Sequence, residues 1–182
     1  MVTYRVNPGE SRLVVQAYSD GLFSKFGHNP RLSPGQFAGE FYFESDDLAS
    51  ASMLFATKAS SLACIDDINE KDRREIERAT GDEVLESAEF PEIVFESKTV
   101  SADRIYEGFY RVRVNGILSL HGTAHEHEID TQVRIGDGEL RVEGETSVSQ
   151  MKFGIKRLSF AAGTLKVKDE VKVSFYLIAR IK

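Results

Sequence analysis

The stretch Tyr110-Arg111-Val112-Arg113-Val114-Asn115-Gly116-Ile117-Leu118-Ser119-Leu120 alternates between two kinds of residue. Tyr110, Val112, Val114, Gly116, Leu118 and Leu120 share one face, and Arg111, Arg113 and Asn115 lie on the other. A period of two marks a β-strand, whose successive side chains point to opposite sides. A strand with one apolar and one polar face is buried on one side only. That favours antiparallel pairing over a parallel sheet covered by helices.

The pattern recurs in both directions. Toward the C-terminus, Glu126 to Ile135 sets His127, Ile129, Thr131, Val133 and Ile135 against Glu126, Glu128, Asp130 and Gln132. Leu140 to Val148 groups Leu140, Val142, Gly144 and Val148, and Val171 to Ala179 groups Val171, Val173, Phe175, Leu177 and Ala179. Toward the N-terminus, Glu92 to Ser97 offers Ile93 and Phe95, and Ser52 to Ala59 offers Met53, Phe55 and Thr57. Phe37 to Glu44 aligns Phe37, Gly39, Phe41 and Phe43, and Arg12 to Tyr18 aligns Leu13, Val15 and Ala17. These eight segments predict an all-β fold. Eight strands closed on themselves make a barrel whose interior is filled by side chains or holds one small ligand. A two-sheet sandwich gives the same alternation.

One region departs from it. Asp67 to Ala79 is dense in charge and carries i,i+4 pairs such as Glu70 with Arg74, which predicts an exposed helix capped near Gly81. A second short turn is expected over Asp82 to Ser87. No repeat, low-complexity tract or linker interrupts the chain, so residues 1–182 read as a single domain.

Bulk properties exclude several classes. Apolar residues make up 41% and charged residues 29% of the 182, a globular composition. A net charge of −6 with no basic tail argues against nucleic acid as a partner. No apolar run approaches the ~20 residues of a membrane helix, so no stable membrane insertion is expected. The sole cysteine, Cys64, has Asp66 and Asp67 beside it, which disfavours a thiolate nucleophile. The N-terminus shows no basic and apolar leader pattern, which gives a cytoplasmic expectation.

Several strings, in order, resemble the YceI-like family of lipocalin-like lipid-binding proteins. They are Tyr4-Arg5-Val6-Asn7-Pro8 with Ser11, Leu22-Phe23-Ser24-Lys25-Phe26-Gly27-His28, Phe37-Ala38-Gly39-Glu40-Phe41, Phe90-Pro91-Glu92-Ile93-Val94-Phe95-Glu96-Ser97, Asn115 to Thr123, and Lys166 to Val171. The resemblance implies an eight-stranded antiparallel lipocalin-like β-barrel with one or two short helices. It also implies a long apolar pocket for a polyisoprenoid, such as an isoprenoid quinone or a polyprenyl phosphate. Relatives often pair, which implies a homodimer. Many are exported, and many carry an Arg-Asp-x-His-Leu string where this chain has Asp72-Arg73-Arg74-Glu75-Ile76, without the histidine.

The candidate ligand-binding residues are Leu13, Val15, Phe37, Phe41, Phe43, Phe55, Phe95, Val114, Leu118 and Phe175, all on the apolar faces. Composition alone favours a packed core for them; the resemblance favours a pocket with aromatic walls. Two acid-free windows, Gly21 to Gly39 and Thr146 to Lys168, supply head-group candidates Lys25, His28, Arg31, Lys152 and Arg157. Beside a pocket mouth these would suit an anionic group.

His125 and His127 share a strand face, and with His28 they offer three imidazoles for a metal. The Glu and distant His of a cupin site do not follow them, so two ordinary histidines near a barrel mouth are the preferred reading. The expectation is therefore a non-catalytic carrier with no metal or cofactor, holding a small hydrophobic polyisoprenoid-type ligand. The alternatives are a three-histidine metal enzyme and a structural module with a filled core.

Overall fold

The computed structural model describes residues 2–20, 29–44, 47–160 and 165–182. Its strands are β1 (Val2–Val6), β2 (Arg12–Gln16), β3 (Ser19–Asp20), β4 (Arg31–Pro34), β5 (Phe37–Glu44), β6 (Asp47–Lys58) and β7 (Leu62–Cys64). After the helix α1 (Glu70–Arg78) come β8 (Glu92–Tyr106), β9 (Phe109–Leu120), β10 (Thr123–Gly136), β11 (Glu139–Ser149), β12 (Ser159–Phe160), β13 (Leu165–Val167) and β14 (Glu170–Ile181). Among the described residues, no helix is long and apolar enough to cross a membrane.

Eight strands close a barrel in the order β1-β5-β6-β8-β9-β10-β11-β14, with β14 returning to β1, and every pairing is antiparallel. Closure leaves no free edge in the barrel wall. The alternation read from the sequence appears directly in the burial of β9, where Val112, Val114, Gly116 and Leu120 are buried and Arg111, Arg113 and Asn115 are exposed. Residues His121 and Gly122 join β9 to β10 with φ of 52° and 68°. Two successive positive φ values match the twist that a tight hairpin needs.

The barrel's first stave differs from expectation. Val2–Val6 closes the wall, its residues Tyr4 to Val6 pairing with Ile181 to Ala179. The segment expected as the first stave, Arg12 to Tyr18, instead forms β2 only as far as Gln16, lies along the other half of β14 and carries β4 and then β7 outward. Asn7 and Ser11 both bond the main chain of Ile178, so the residues between them loop out where the two segments part. A separate three-stranded sheet joins β12, β13 and β3.

Strand β8 runs nine residues past its expected end at Ser97. A register shift between Ser97 and Thr99 is the reason. Before it, Phe95 is the buried residue; after it, Val100 and Ala102 turn to the interior cluster. A bulge changes which parity faces inward, and this hides a strand from a period-two search.

The helical region also differs from its expected limits. Asn69 caps α1 by accepting the Asp72 N–H at 3.0 Å. The chain does not stop at Gly81 but continues as a wider π-type turn over Ala79–Val84, with the Leu85 N–H bonded to the Thr80 carbonyl. The left-handed residue that ends this region is Glu86, at φ 45°.

Candidate ligand-binding cavity

The interior is not filled. The barrel encloses a cavity of about 330 Å³, within the range of small-molecule sites. A space of roughly 10–15 Å³ already holds a water. The lining residues of β14 run from Val171 to Leu177, about 20 Å along a strand at ~3.3 Å per residue. The cavity is thus long for its volume, a shape suited to a chain.

Its walls follow from the alternation. At one end lie Phe43, Leu48 and the fully buried Leu140, with the Tyr4 ring stacked behind Phe43 at a centroid distance of 5.1 Å. Phe41, Phe55, Phe95, Val114, Leu118 and Phe175 line the middle. Two glycines make room for two of these rings. A Cβ at Gly116 would stand 2.5 Å from both Phe95 Cζ and the Glu96 carbonyl oxygen. One at Gly144 would stand 2.9 Å from Phe175 Cζ and 2.8 Å from the Asp130 carbonyl oxygen. Each ring therefore lies against its glycine, close to the wall.

The other end is covered. Ile76 of α1, with Ala79, Val84 and Leu85 of the following turn, faces the cavity beside Leu13, Val15 and Leu32. Polar contacts hold this cover to β7. Arg73 donates to the carbonyl oxygens of Cys64 and Asp66, and Glu77 accepts the Cys64 N–H at 2.9 Å. Asp66, itself buried, accepts from the Arg31 main chain and guanidinium, each at 2.8 Å. Burial, the largest influence, pushes the Cys64 thiol up, and the Asp66 charge acts the same way.

Nine of the ten candidate wall residues line the cavity. Phe37 is the exception: its ring stacks on Phe55 at 5.7 Å and is not part of the lining. The head-group candidates are not gathered at the cavity. Lys25 and His28 lie outside the described residues. Arg31 is engaged with Asp66, Lys152 donates to the Glu126 carbonyl oxygen at 3.0 Å, and Arg157 is exposed; none of these three lines the cavity.

The histidines part company. His127 lines the cavity, and its Nε2 sits 2.9 Å from Thr146 Oγ1. Burial pushes its pKa down, and the nearby Lys152 charge adds to this. His125 instead meets the Phe153 ring edge-on at 5.2 Å. Among the described residues no three His, Cys, Asp or Glu side chains are grouped to hold a metal. His121 was not singled out by the sequence. Its two ring nitrogens face the Phe153 carbonyl at 3.2 Å and the Glu86 carboxylate at 2.7 Å, linking the β9–β10 turn to the region after α1.

The sequence also passed over Thr146 and Gln150 as lining residues. Thr146 was legible, lying at the same parity as Leu140, Val142 and Val148. Gln150 follows the end of β11, where alternation gives no guidance.

A family model described as YceI-like domain matches residues 4–179. No curated protein matches the chain. Among solved structures, the fold is similar to BcnA of Burkholderia cenocepacia, with 16% identity over 95% of this chain and 98% of that one, at a TM-score of 0.70. It is also similar to a polyisoprenoid-binding domain from Saccharophagus degradans implicated in plant cell wall breakdown, with 14% identity over 100% of both chains and a TM-score of 0.72. A YceI protein of Campylobacter jejuni shares 12% identity over 90% of this chain and 94% of that one, at a TM-score of 0.61.

Proposed function

The chain belongs to the YceI-like family, and from that premise we propose that it is a non-catalytic binding protein that sequesters a long apolar molecule of the polyisoprenoid class inside its barrel. The observation that carries this reading is the cavity itself: long, walled by aromatic and aliphatic side chains, and covered at one end by α1. A packed core would leave no such space, since protein interiors normally reach crystal-like density. Burial of a prenyl chain there is driven by apolar area, at roughly 25 cal/mol per Å². The similarity to a polyisoprenoid-binding domain supports the choice of ligand class. An isoprenoid quinone and a polyprenyl phosphate are the two candidates within that class.

The test is mass spectrometry of the purified protein before and after organic extraction, with metal analysis of the same sample. The expected result is near-stoichiometric release of an isoprenoid lipid. Stoichiometric metal without lipid would overturn the reading.

A further inference from the structure

Resting on the reading of the barrel as a container, we propose that His127 and Thr146 form a hydrogen-bonding station inside the cavity that selects chains carrying an uncharged carbonyl or hydroxyl group over those ending in phosphate. The two side chains project from neighbouring strands β10 and β11 into the same cavity, 2.9 Å apart. Three other polar lining side chains are committed to main-chain carbonyls, and the Tyr18 hydroxyl donates to the Gln16 side chain at 3.2 Å. Thr131 donates to the Val112 carbonyl at 3.2 Å, Thr57 to the Gln36 carbonyl at 2.6 Å, and the Gln150 amide nitrogen to the Lys168 and Asp169 carbonyls. His127 Nδ1 has no such partner among the described residues.

The chemistry of the pair decides what it accepts. Burial, and secondarily the Lys152 charge, favours the neutral imidazole. A neutral imidazole carries one N–H and one lone pair, and a threonine hydroxyl both donates and accepts. When Thr146 donates to Nε2, Nδ1–H is a donor and suits a carbonyl. When Nε2–H donates to Thr146, Nδ1 is an acceptor and suits a hydroxyl. The station therefore serves either group by a change of tautomer. A phosphate needs several charge-assisted donors, and this station offers one uncharged N–H. Placing an anion beside it among apolar walls carries a desolvation cost, and Lys152, exposed, bonded to the Glu126 carbonyl and outside the lining, makes no direct contact there to offset it.

The experiment uses four C20 prenyl probes of matched length: the methyl ketone, the alcohol, the diphosphate and the plain hydrocarbon. Each is partitioned from cyclodextrin into the delipidated full chain, and affinities are expressed relative to the hydrocarbon. Wild type should favour ketone and alcohol by roughly three- to tenfold, the worth of one hydrogen bond. His127→Leu should bring both ratios close to one. Thr146→Val, which keeps the side-chain shape, should lower them in the same direction, and circular dichroism verifies that each variant is folded. Ratios unchanged in both folded variants would overturn the proposal while leaving the container reading intact. So would tightest binding of the diphosphate. Failure of all four chains to bind wild type would overturn the container reading and this inference with it.

Discussion

Replacing Val114 with phenylalanine asks directly whether the interior is open. Val114 is buried in β9, lines the middle of the cavity and pairs with Val100 and Ile129 on the flanking strands. The larger side chain adds about four carbons, each worth about 0.8 kcal/mol once buried, so about 3 kcal/mol at most. Strain in a rigid wall takes back roughly 1–3 kcal/mol. With a cavity of about 330 Å³ to receive the ring, the net change in the lipid-free protein should lie between about zero and +2 kcal/mol of stability. Lipid uptake should fall, because the ring and the ligand compete for the same space. Urea unfolding of delipidated protein gives the first quantity, and lipid content after loading gives the second. In a filled core the same substitution overpacks, and stability drops by about 1–3 kcal/mol. A loss of that size with undiminished lipid loading would refute the cavity as a binding space.

Two further perturbations address the cover and the buried histidine. Arg73→Ala removes the donors that tie α1 to the Cys64 and Asp66 carbonyls. It should cost about 1–3 kcal/mol and speed both hydrogen exchange in α1 and lipid release; an unchanged release rate would mean that ligand exchange does not pass this cover. His127 has a folded pKa held below its ordinary 6.5, chiefly by burial and secondarily by Lys152. Its proton is therefore taken up more readily by the unfolded chain. The stability it contributes is present above 6.5 and is lost as pH falls through the lower folded value. Unfolding midpoints measured between pH 7.5 and 5.5 should decline, and the decline should be shallower in His127→Leu.

Most of the wall could be read from the sequence because a period of two is imposed by the backbone itself. Where one face meets an apolar interior and the other meets water, residues such as Val112 and Arg113 reveal their sides without a structure. Three features escaped for definite reasons. Val2–Val6 is only five residues long, and its role as the closing stave depends on partners at the far end of the chain, Ile181 to Ala179. The second half of β8 is masked by the bulge near Lys98, which inverts the parity. Phe37 has the parity of a lining residue and yet stands clear of the cavity, its ring stacked on Phe55. Parity fixes the side of a sheet; it does not fix depth along the barrel axis.

An unfilled interior has a thermodynamic consequence of its own. Residual cavity volume costs about 24 cal/mol per Å³ in a packed core, so a cavity of about 330 Å³ corresponds to roughly 8 kcal/mol of forgone packing. That is as large as the whole stability of an ordinary domain. A ligand that fills even a third of the deficit therefore becomes a major part of the stability of the loaded protein. For a domain of this size each kcal/mol shifts Tm by about 2–4 °C, so full occupancy should raise Tm by roughly 5–10 °C. The comparison is a thermal scan of one preparation divided into extracted, unextracted and reloaded portions. Reloading should restore the higher value, as binding linkage requires. Identical Tm values in all three, with lipid verified in the loaded samples, would mean that the chain contacts too little of the wall to be held inside the barrel.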